Sequence, residues 1–390
     1  MDDGIPRTAC LRNLNTRPIK TPITFRPSGT YLITGGVGAL GLEIAAWMVK
    51  RGARRVLLLS RQKLPHRSTW SSHEKSSAVQ KIMSMENAGA TIIPISLDIS
   101  EAGADFNLAE AIAKCNVPPV TGVVHAAGVL KDQLVKEITI EAFDAVLAPK
   151  IKGALNLDKL FPPGSLEFFT IFSSCGQLFG FPGQASYASG NAFLDCLAAQ
   201  RRRLGDNASS MLWTSWRGLG MAASTEYINA ELNARGISDI TKEDGFAAWE
   251  EVSRHEIDHA VVLRTIPLEA DDPLPHPMLK DIVVRKPRQM VDGQSSGGSL
   301  PVNARPTSGP ALKTFITEII ISCVASTLSV DEIDVQMAVA LSEMGMDSVM
   351  TVIFRSSLEK KLRIRISPTL VWKCPTVNHL VNHLVVELKG

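Results

Sequence analysis

Several things are missing from this chain, and each absence narrows what it can be. The 390 residues carry six scattered cysteines (10, 115, 175, 196, 323, 374) and no CxxC pair. That leaves no disulfide framework and fits reduced thiols in the cytosol. An excess of charge of one sign is missing too: the net charge of +2 is too small to draw nucleic acid or an anionic membrane. No uninterrupted apolar run approaches the length that spans a bilayer. The first residues, MDDGIPRTAC, are acidic and lack the apolar stretch of a secretory signal. The expectation is a cytoplasmic protein with neither nucleic acid nor membrane as partner. No internal repeat is apparent. What is present is a globular composition, 45% hydrophobic and 21% charged, in a chain long enough for two domains.

Residues 1–28 are polar, contain proline and show no period, so they read as a lead-in. From 31 onward, short β-branched or apolar runs alternate with helical patterns. The runs are YLIT (31–34), VLLLS (56–60), TIIPISL (91–97), GVVHAA (122–127), EFFTIFSS (167–174), MLWTSW (211–216) and AVVLR (260–264). Between the first two, Leu42, Ala45, Ala46 and Val49 recur near a period of 3.6 and Gly52 closes the pattern. Such alternation predicts an α/β fold, a doubly wound parallel sheet with right-handed crossovers, over residues 29–285. Residues 286–310 are rich in Gly, Ser and Pro and read as a flexible linker. Beyond it, residues 311–390 predict a small all-α, four-helix domain. Leu312, Phe315, Ile316, Ile319, Ile320, Cys323 and Val324 form one apolar face, and Val377, Leu380, Val381, Leu384 and Val385 another.

A glycine-rich turn, Thr34-Gly35-Gly36-Val37-Gly38-Ala39-Leu40-Gly41, follows the first run and opens the first helical pattern. Glycines there allow close approach of a pyrophosphate, whose charge suits the free N–H groups of a helix start. The second strand ends in Leu59-Ser60-Arg61, where an NAD enzyme would often place an acidic residue. A hydroxyl and a guanidinium suit a 2′-phosphate, so NADPH is the expected cofactor. Asp98, after the third strand, is a candidate acceptor for the adenine amino group. Ala126, Ala127 and Gly128 are small enough to let the cofactor lie against the sheet edge.

The segment FSSCGQLFGFPGQASYASGN (172–191) holds Ser174, Tyr187 and Asn191. Tyrosine, with an ordinary pKa of about 10, needs a neighbouring ammonium to act as an acid–base group. Ordinary short-chain dehydrogenases place that lysine four residues after the tyrosine, and here that position is Asn191. Lys150, in VLAPKIKGA (146–154), lies 24 residues before Ser174, and Tyr187 lies 13 after it. This exchange of lysine and asparagine, with these spacings, resembles the ketoreductase domains of modular and iterative polyketide synthases, and it prefers Ser174 to Ser173. The resemblance covers about 27–266. It implies that Tyr187 protonates the developing alkoxide and that Ser174 holds the carbonyl. It further implies that Lys150 lowers the pKa of Tyr187, while Asn191 positions Lys150 and a proton-relay water. Within the family, 172–198 and 345–352 resemble fungal partially reducing synthases of the 6-methylsalicylic acid synthase type. Of the Leu-Asp-Asp marker of B-type domains the chain keeps Leu130 and Asp132 around Lys131. Phe179 replaces the A-type tryptophan, so the resemblance leans to B-type. Residues 219–240 are expected to form a mobile lid.

Gly345-Met346-Asp347-Ser348 precedes a helical pattern over 348–362. A serine at a helix start lies beside free N–H groups able to accommodate a phosphodiester. The segment 311–388 resembles an acyl carrier protein with 4′-phosphopantetheine on Ser348. An acyl thioester substrate, a phosphopantetheinyl transferase, and ketosynthase and acyltransferase domains in cis or in trans are the implied partners. Those domains, and the structural half that the family places before its catalytic half, are not found in these residues, so a trans-acting subunit or a fragment of a longer synthase is expected. A reductase fold that is catalytically incomplete, with only the carrier working, stands as the alternative, and a free-standing dehydrogenase as a third. His255-Glu256-Ile257-Asp258-His259 matches a zinc motif, but a strand follows at once and no metal is expected. His379 and His383, and the cluster Lys360, Lys361, Arg363 and Arg365, read as solvated or docking surface.

Overall fold

A computed structural model describes residues 9–72, 76–220, 226–270, 272, 274–286, 309–328, 330–341, 343–346, 348–362, 364, 366, 370 and 374–388. The chain divides into two compact units. One is built from Met1–Thr225, Arg235–Pro267 and Pro273–Val284, the other from Glu226–Ala234, Leu268–Asp272 and Arg285–Gly390.

The first unit carries a seven-stranded sheet, every pair of it parallel. Its strands are β1 (Thr30–Thr34), β2 (Arg55–Ser60), β3 (Thr91–Ser96), β4 (Val120–His125), β5 (Phe168–Ser174), β6 (Ala208–Trp213) and β7 (His259–Val262). They lie in the order β3-β2-β1-β4-β5-β6-β7. Central strands buried on both faces need continuous apolar sequence, and all five residues of β1 and the first six of β5 are buried. The order reverses between β1 and β4, which opens a crevice at their carboxyl ends.

The sixth strand differs from the expected 211–216: Ala208, Ser209 and Ser210 pair with β5, whereas the pairing ends at Trp213. Small residues in a buried strand carry no apolar signal, and Trp216 leaves the sheet to bridge with Ile240. The lead-in is anchored as well. Phe25 is buried, with its ring 5.3 Å from those of Tyr31 and Trp47. Of the expected lid, 221–225 lie outside the described residues. The rest is ordered structure rather than a loop, with a helix at Glu226–Ala234 and Ile237–Ser238 paired with Arg264–Thr265.

Helices α1 (Ala39–Lys50), α2 (Ser77–Asn87), α3 (Ala104–Lys114), α4 (Ile140–Lys150), α5 (Lys152–Leu160), α6 (Gly176–Phe179) and α7 (Ala185–Arg203) belong to this unit. Two helices, not one, precede β5. Pro149 has no N–H and its ring crowds the carbonyl four residues back, so the helix breaks there. Lys150 sits at that break. Helix α7 is pinned at its far end by Arg201, which is buried with the buried Asp206 (Nε–Oδ2 2.7 Å) and lies 4.1 Å from the Phe169 ring centre. Residues 187 and 191 are thereby held in a fixed rotation against the sheet.

In the second unit, helices at Gly309–Leu328, Ser348–Leu362 and Val377–Glu387 share one core with Leu341, Met346 and Leu370. The described residues hold these three α-helices and a 3₁₀ turn at Glu332–Asp334 in the carrier segment. Residues 287–308 of the expected linker lie outside the described residues. At its edges, Lys286 pairs with Glu269, and Gly309 and Pro310 already belong to a helix, where the missing proline N–H costs nothing. Pro310–Leu328 is long and apolar enough by length and composition to cross a membrane, contrary to the expectation above. Its Ser and Thr residues interrupt the apolar run without making it polar. One face of it, Leu312, Ile316, Ile320, Cys323 and Val324, is buried in the core of this unit.

Candidate active site

The nucleotide turn forms where the sequence places it, at the carboxyl end of β1. Gly35 has φ +67° and a side chain on Gly41 would fall 2.3 Å from the Gly35 carbonyl oxygen, so both positions require glycine. Gly36 is buried beneath the turn, while Gly38 and Ala39 are exposed and Leu40 half-buried at the start of α1. The first N–H groups of α1 thus face outward with no side-chain cap, as an anion-binding helix start requires.

Thr34 ties this turn to the next one. Its buried hydroxyl oxygen accepts from the N–H groups of Ala126 (3.1 Å) and Ala127 (3.2 Å) and contacts His125 Nδ1 at 2.8 Å. The fully buried imidazole is held neutral, its pKa pushed down to about 3 by burial first and then by the Lys150 charge. Ala126, Ala127 and Gly128, half-buried, line the crevice beyond β4.

At the end of β2, Ser60 accepts from Gln62 N–H (3.1 Å), and the exposed Arg61 approaches Asp98 (Nη1–Oδ2 3.9 Å). Asp98 also accepts from Ser100 N–H (2.9 Å) and Ser100 Oγ (2.6 Å). The two residues proposed from sequence for phosphate and adenine therefore meet, and the carboxylate steadies the guanidinium. The turn, the outward helix start and this exposed arginine together fit a phosphorylated dinucleotide.

The four residues around the reacting carbon come from three elements. Ser174 ends β5 half-buried and accepts from Gly176 N–H (3.1 Å), which leaves its own proton to donate. Ser173, the alternate face of the strand, is buried with Oγ 3.5 Å from the Asn191 carbonyl. Lys150 is buried at the α4 break, and its ammonium lies 4.7 Å from the centre of the Tyr187 ring. That is within cation–π range. Tyr187, in the first turn of α7, is half-buried and reachable from the crevice.

Burial dominates the electrostatics of these residues. Burial pushes the Tyr187 phenol up to about 12, with Cys175 and Asp132 adding to the rise and the Asn191 amide opposing it. Lys150, with its ammonium over the ring, is itself pushed down to about 7 by burial, with Asp195 opposing. Asn191 is fully buried beside the phenol, and among the described residues no hydrogen bond joins its amide to Lys150.

Asp195, Gln177 and His125 are the residues the sequence reading missed. Asp195 follows Asn191 by one helical turn on α7, and Ser210 Oγ donates to it (2.6 Å), as does Gln177 Nε2. The spacing 187, 191, 195 was the available signal.

In the second unit, Ser348 is the first residue of helix Ser348–Leu362. Its side chain, Asp347, Arg363 and Arg365 lie outside the described residues. Lys361 donates to Ser322 Oγ (3.0 Å), and His379 is paired with Thr376, the cap of its helix (3.0 Å). His255 follows the helix Lys242–Ser253 and His259 opens β7, so the two imidazoles share no helical face. His255 instead contacts Thr16 Oγ1 (2.9 Å).

Comparison with known proteins agrees with this geometry. Residues 29–218 match the KR domain family, and residues 318–384 match the phosphopantetheine attachment site family. The chain is 54% identical over 392 residues to a 6-methylsalicylic acid synthase of Aspergillus niger, covering 99% of this chain and 22% of that protein. It is 46% identical to the mellein synthase of Phaeosphaeria nodorum over 388 residues, with coverages of 97% and 22%. The chain thus spans about a fifth of the length of the curated relatives it matches. Among solved structures it resembles the ketoreductase from the first module of phoslactomycin biosynthesis in a Streptomyces species. The TM-score is 0.56 at 36% identity, covering 64% of this chain and 55% of that one. Residues 29–218 therefore form an NADPH-dependent ketoreductase domain of the KR family, joined to a phosphopantetheine carrier domain, an arrangement similar to that of polyketide synthases of the 6-methylsalicylic acid synthase type.

Proposed function

We propose that residues 29–285 reduce the β-keto group of a polyketide thioester to the β-hydroxy form, with the acyl chain carried on phosphopantetheine at Ser348. The observation that carries this reading is the Lys150 ammonium 4.7 Å from the Tyr187 ring centre, its charge felt by His125, which Thr34 of the nucleotide turn contacts. NADPH, when bound, supplies the hydride. Thr34 to Gly41 hold its pyrophosphate, and Ser60 and Arg61 its 2′-phosphate. Ser174 donates to the ketone oxygen. The Tyr187 hydroxyl would give its proton to that oxygen, and the Lys150 charge would stabilise the phenolate left behind. The phenolate recovers a proton from water held at the Asn191 amide. Leu130, Asp132 and Phe179 support B-type stereochemistry.

The carrier presents its thioester by tethering, which raises effective substrate concentration. Ketosynthase and acyltransferase domains supply the chain, and a phosphopantetheinyl transferase loads Ser348. The relatives' names, 6-methylsalicylic acid synthase and mellein synthase, point to an aromatic polyketide synthase as the setting.

The full chain is expected to oxidise NADPH with a β-ketoacyl thioester or trans-1-decalone, followed by absorbance. Failure to bind NADPH overturns the enzyme reading and leaves a carrier alone. Arg61→Ala is expected to raise KM for NADPH about 10- to 100-fold, the worth of a charged hydrogen bond, with little change for NADH. Equal loss for both cofactors would refute the assignment of Arg61. Incubation with coenzyme A and a transferase is expected to add one phosphopantetheine by mass, and nothing to Ser348→Ala. An unchanged mass gain in that variant would place the attachment elsewhere.

A further inference from the structure

We propose that Arg235 is a positioning residue for the reduction, a clamp on the wall between Ser174 and Tyr187 that keeps the Ser174 hydroxyl aimed at the ketone. This rests on the reading of Ser174 as the donor to that oxygen and deepens it. Ser174 ends β5 and Tyr187 begins α7, and the wall between them holds only the short helix α6 and the bend behind it. The four residues of α6 make a single turn, whose last carbonyls need partners from outside it. Gly180 closes that turn with φ +65°, and a side chain there would meet no atom within 4 Å, so the bend stands in open space. Arg235, which follows the helix Glu226–Ala234, supplies what the turn lacks. Its Nε donates to the Phe179 carbonyl and its Nη2 to the Gly180 carbonyl, both at 3.1 Å. The same guanidinium lies 4.8 Å from the Phe181 ring centre. One planar fork thus meets two carbonyls and a ring, a use for which a guanidinium is shaped and an ammonium is not.

The clamp reaches Ser174 through Phe181. A side chain on Gly176 would fall 3.0 Å from Phe181 Cδ2 and 3.2 Å from Ser174 Oγ. The Phe181 ring therefore lies against the glycine whose N–H donates to Ser174 at 3.1 Å. That N–H holds the Ser174 oxygen, which keeps its proton to donate. The ends of the wall have ties of their own. Gln177 donates to Asp195, Gln133 N–H donates to the Gly183 carbonyl (2.9 Å), and Gln184 Nε2 donates to Asp132 (3.3 Å). The middle, 179–181, meets Arg235, and the Phe179 ring lies 4.9 Å from that of His276. Loss of the fork frees Phe181 and with it Gly176, so the Ser174 hydroxyl loses its aim. A shift of about 1 Å in a group that meets the reacting atoms can cost about 100-fold in rate. The nucleotide turn, at the end of β1 rather than β5, is untouched.

The test is a double-mutant cycle in the full chain with NADPH and trans-1-decalone, using Arg235→Met, Ser174→Ala and the two together. Methionine keeps an apolar stem and removes the fork. Ser174→Ala is expected to lower kcat by about 10²- to 10³-fold, as loss of one donor to a developing oxyanion does. Arg235→Met is expected to lower it by about 10- to 100-fold. The pair is expected to match Ser174→Ala within about twofold, because Arg235 acts only through the hydroxyl already removed. Fluorescence titration is expected to give the parent Kd for NADPH in all three. Losses that multiply, or a weakened Kd in Arg235→Met, would mark a merely structural role and overturn the proposal, as would a parent-like kcat in Arg235→Met. Should Arg235→Met fail to fold, Phe181→Leu takes its place in the same cycle with the same outcomes, since it keeps apolar bulk and removes the ring beside the guanidinium. If Ser174→Ala keeps the parent kcat, the reading beneath falls. If Ser174→Ala is impaired while Arg235→Met, or Phe181→Leu in its place, matches the parent, this inference alone falls.

Discussion

Tyr187→Phe is expected to lower kcat by about 10²- to 10⁴-fold, the usual contribution of a positioned acid, while NADPH binds as before. The phenol, pushed up to about 12, stays protonated at every working pH. It is therefore always loaded as an acid, and the difficulty lies in the phenolate that it becomes. Deleting one oxygen removes the proton donor but leaves the ring on which the Lys150 ammonium rests, so the site keeps its shape. Stopped-flow absorbance with saturating NADPH and ketone reads the chemical step, and fluorescence titration of NADPH reads binding. A variant within tenfold of the parent in kcat would mean that another group gives the proton.

Lys150→Met is expected to move activity and stability in opposite directions. Activity falls by about 10²-fold, because nothing then stabilises the phenolate. Stability rises, because a buried ammonium is replaced by an apolar chain of similar length. Such exchanges are neutral or stabilising by about 1–4 kcal/mol, and each kcal/mol is about 2–4 °C of Tm in a domain of this size. The sign with pH follows from burial pushing Lys150 from 10.5 down to about 7. Between those values the unfolded chain binds the proton that the folded chain has released, so stability of the parent rises with pH across that window. The Tm advantage of the variant is therefore largest at pH 7 and below, and shrinks toward pH 10.5. Thermal unfolding followed by tryptophan fluorescence at several pH values checks this; a variant less stable than the parent at pH 7 would refute it. A residue that weakens the fold in order to act is what a catalytic lysine in a dry site should be.

The same number predicts how the parent behaves. As pH rises through about 7, Lys150 loses the charge that steadies the phenolate, so kcat falls on the alkaline side.

Much of this was legible in the residues because it is local. Strand–helix alternation declared the parallel sheet through β-branched runs and helical periods, each read within a dozen positions. The turn at Gly35 and Gly41 and the spacing of Lys150, Ser174 and Tyr187 needed only counting. The boundaries read less well where the signal was weak: Ala208 to Ser210 pair in a buried strand without being apolar, and Pro149 lies at the break between α4 and α5.

What the chain alone determined is which groups are present and in what order along it. Tertiary structure decided how charged those groups are. Lys150 is an ordinary lysine by sequence and a reluctant cation once α4 and α7 close over it. Thr34 and His125, 91 residues apart, join the nucleotide turn to the strand beside it, and Asp195 gains meaning only when β6 and α6 bring Ser210 and Gln177 to its oxygens. The reason is physical: periodicity and spacing are properties of neighbours in the chain, whereas desolvation and Coulomb interaction depend on neighbours in space.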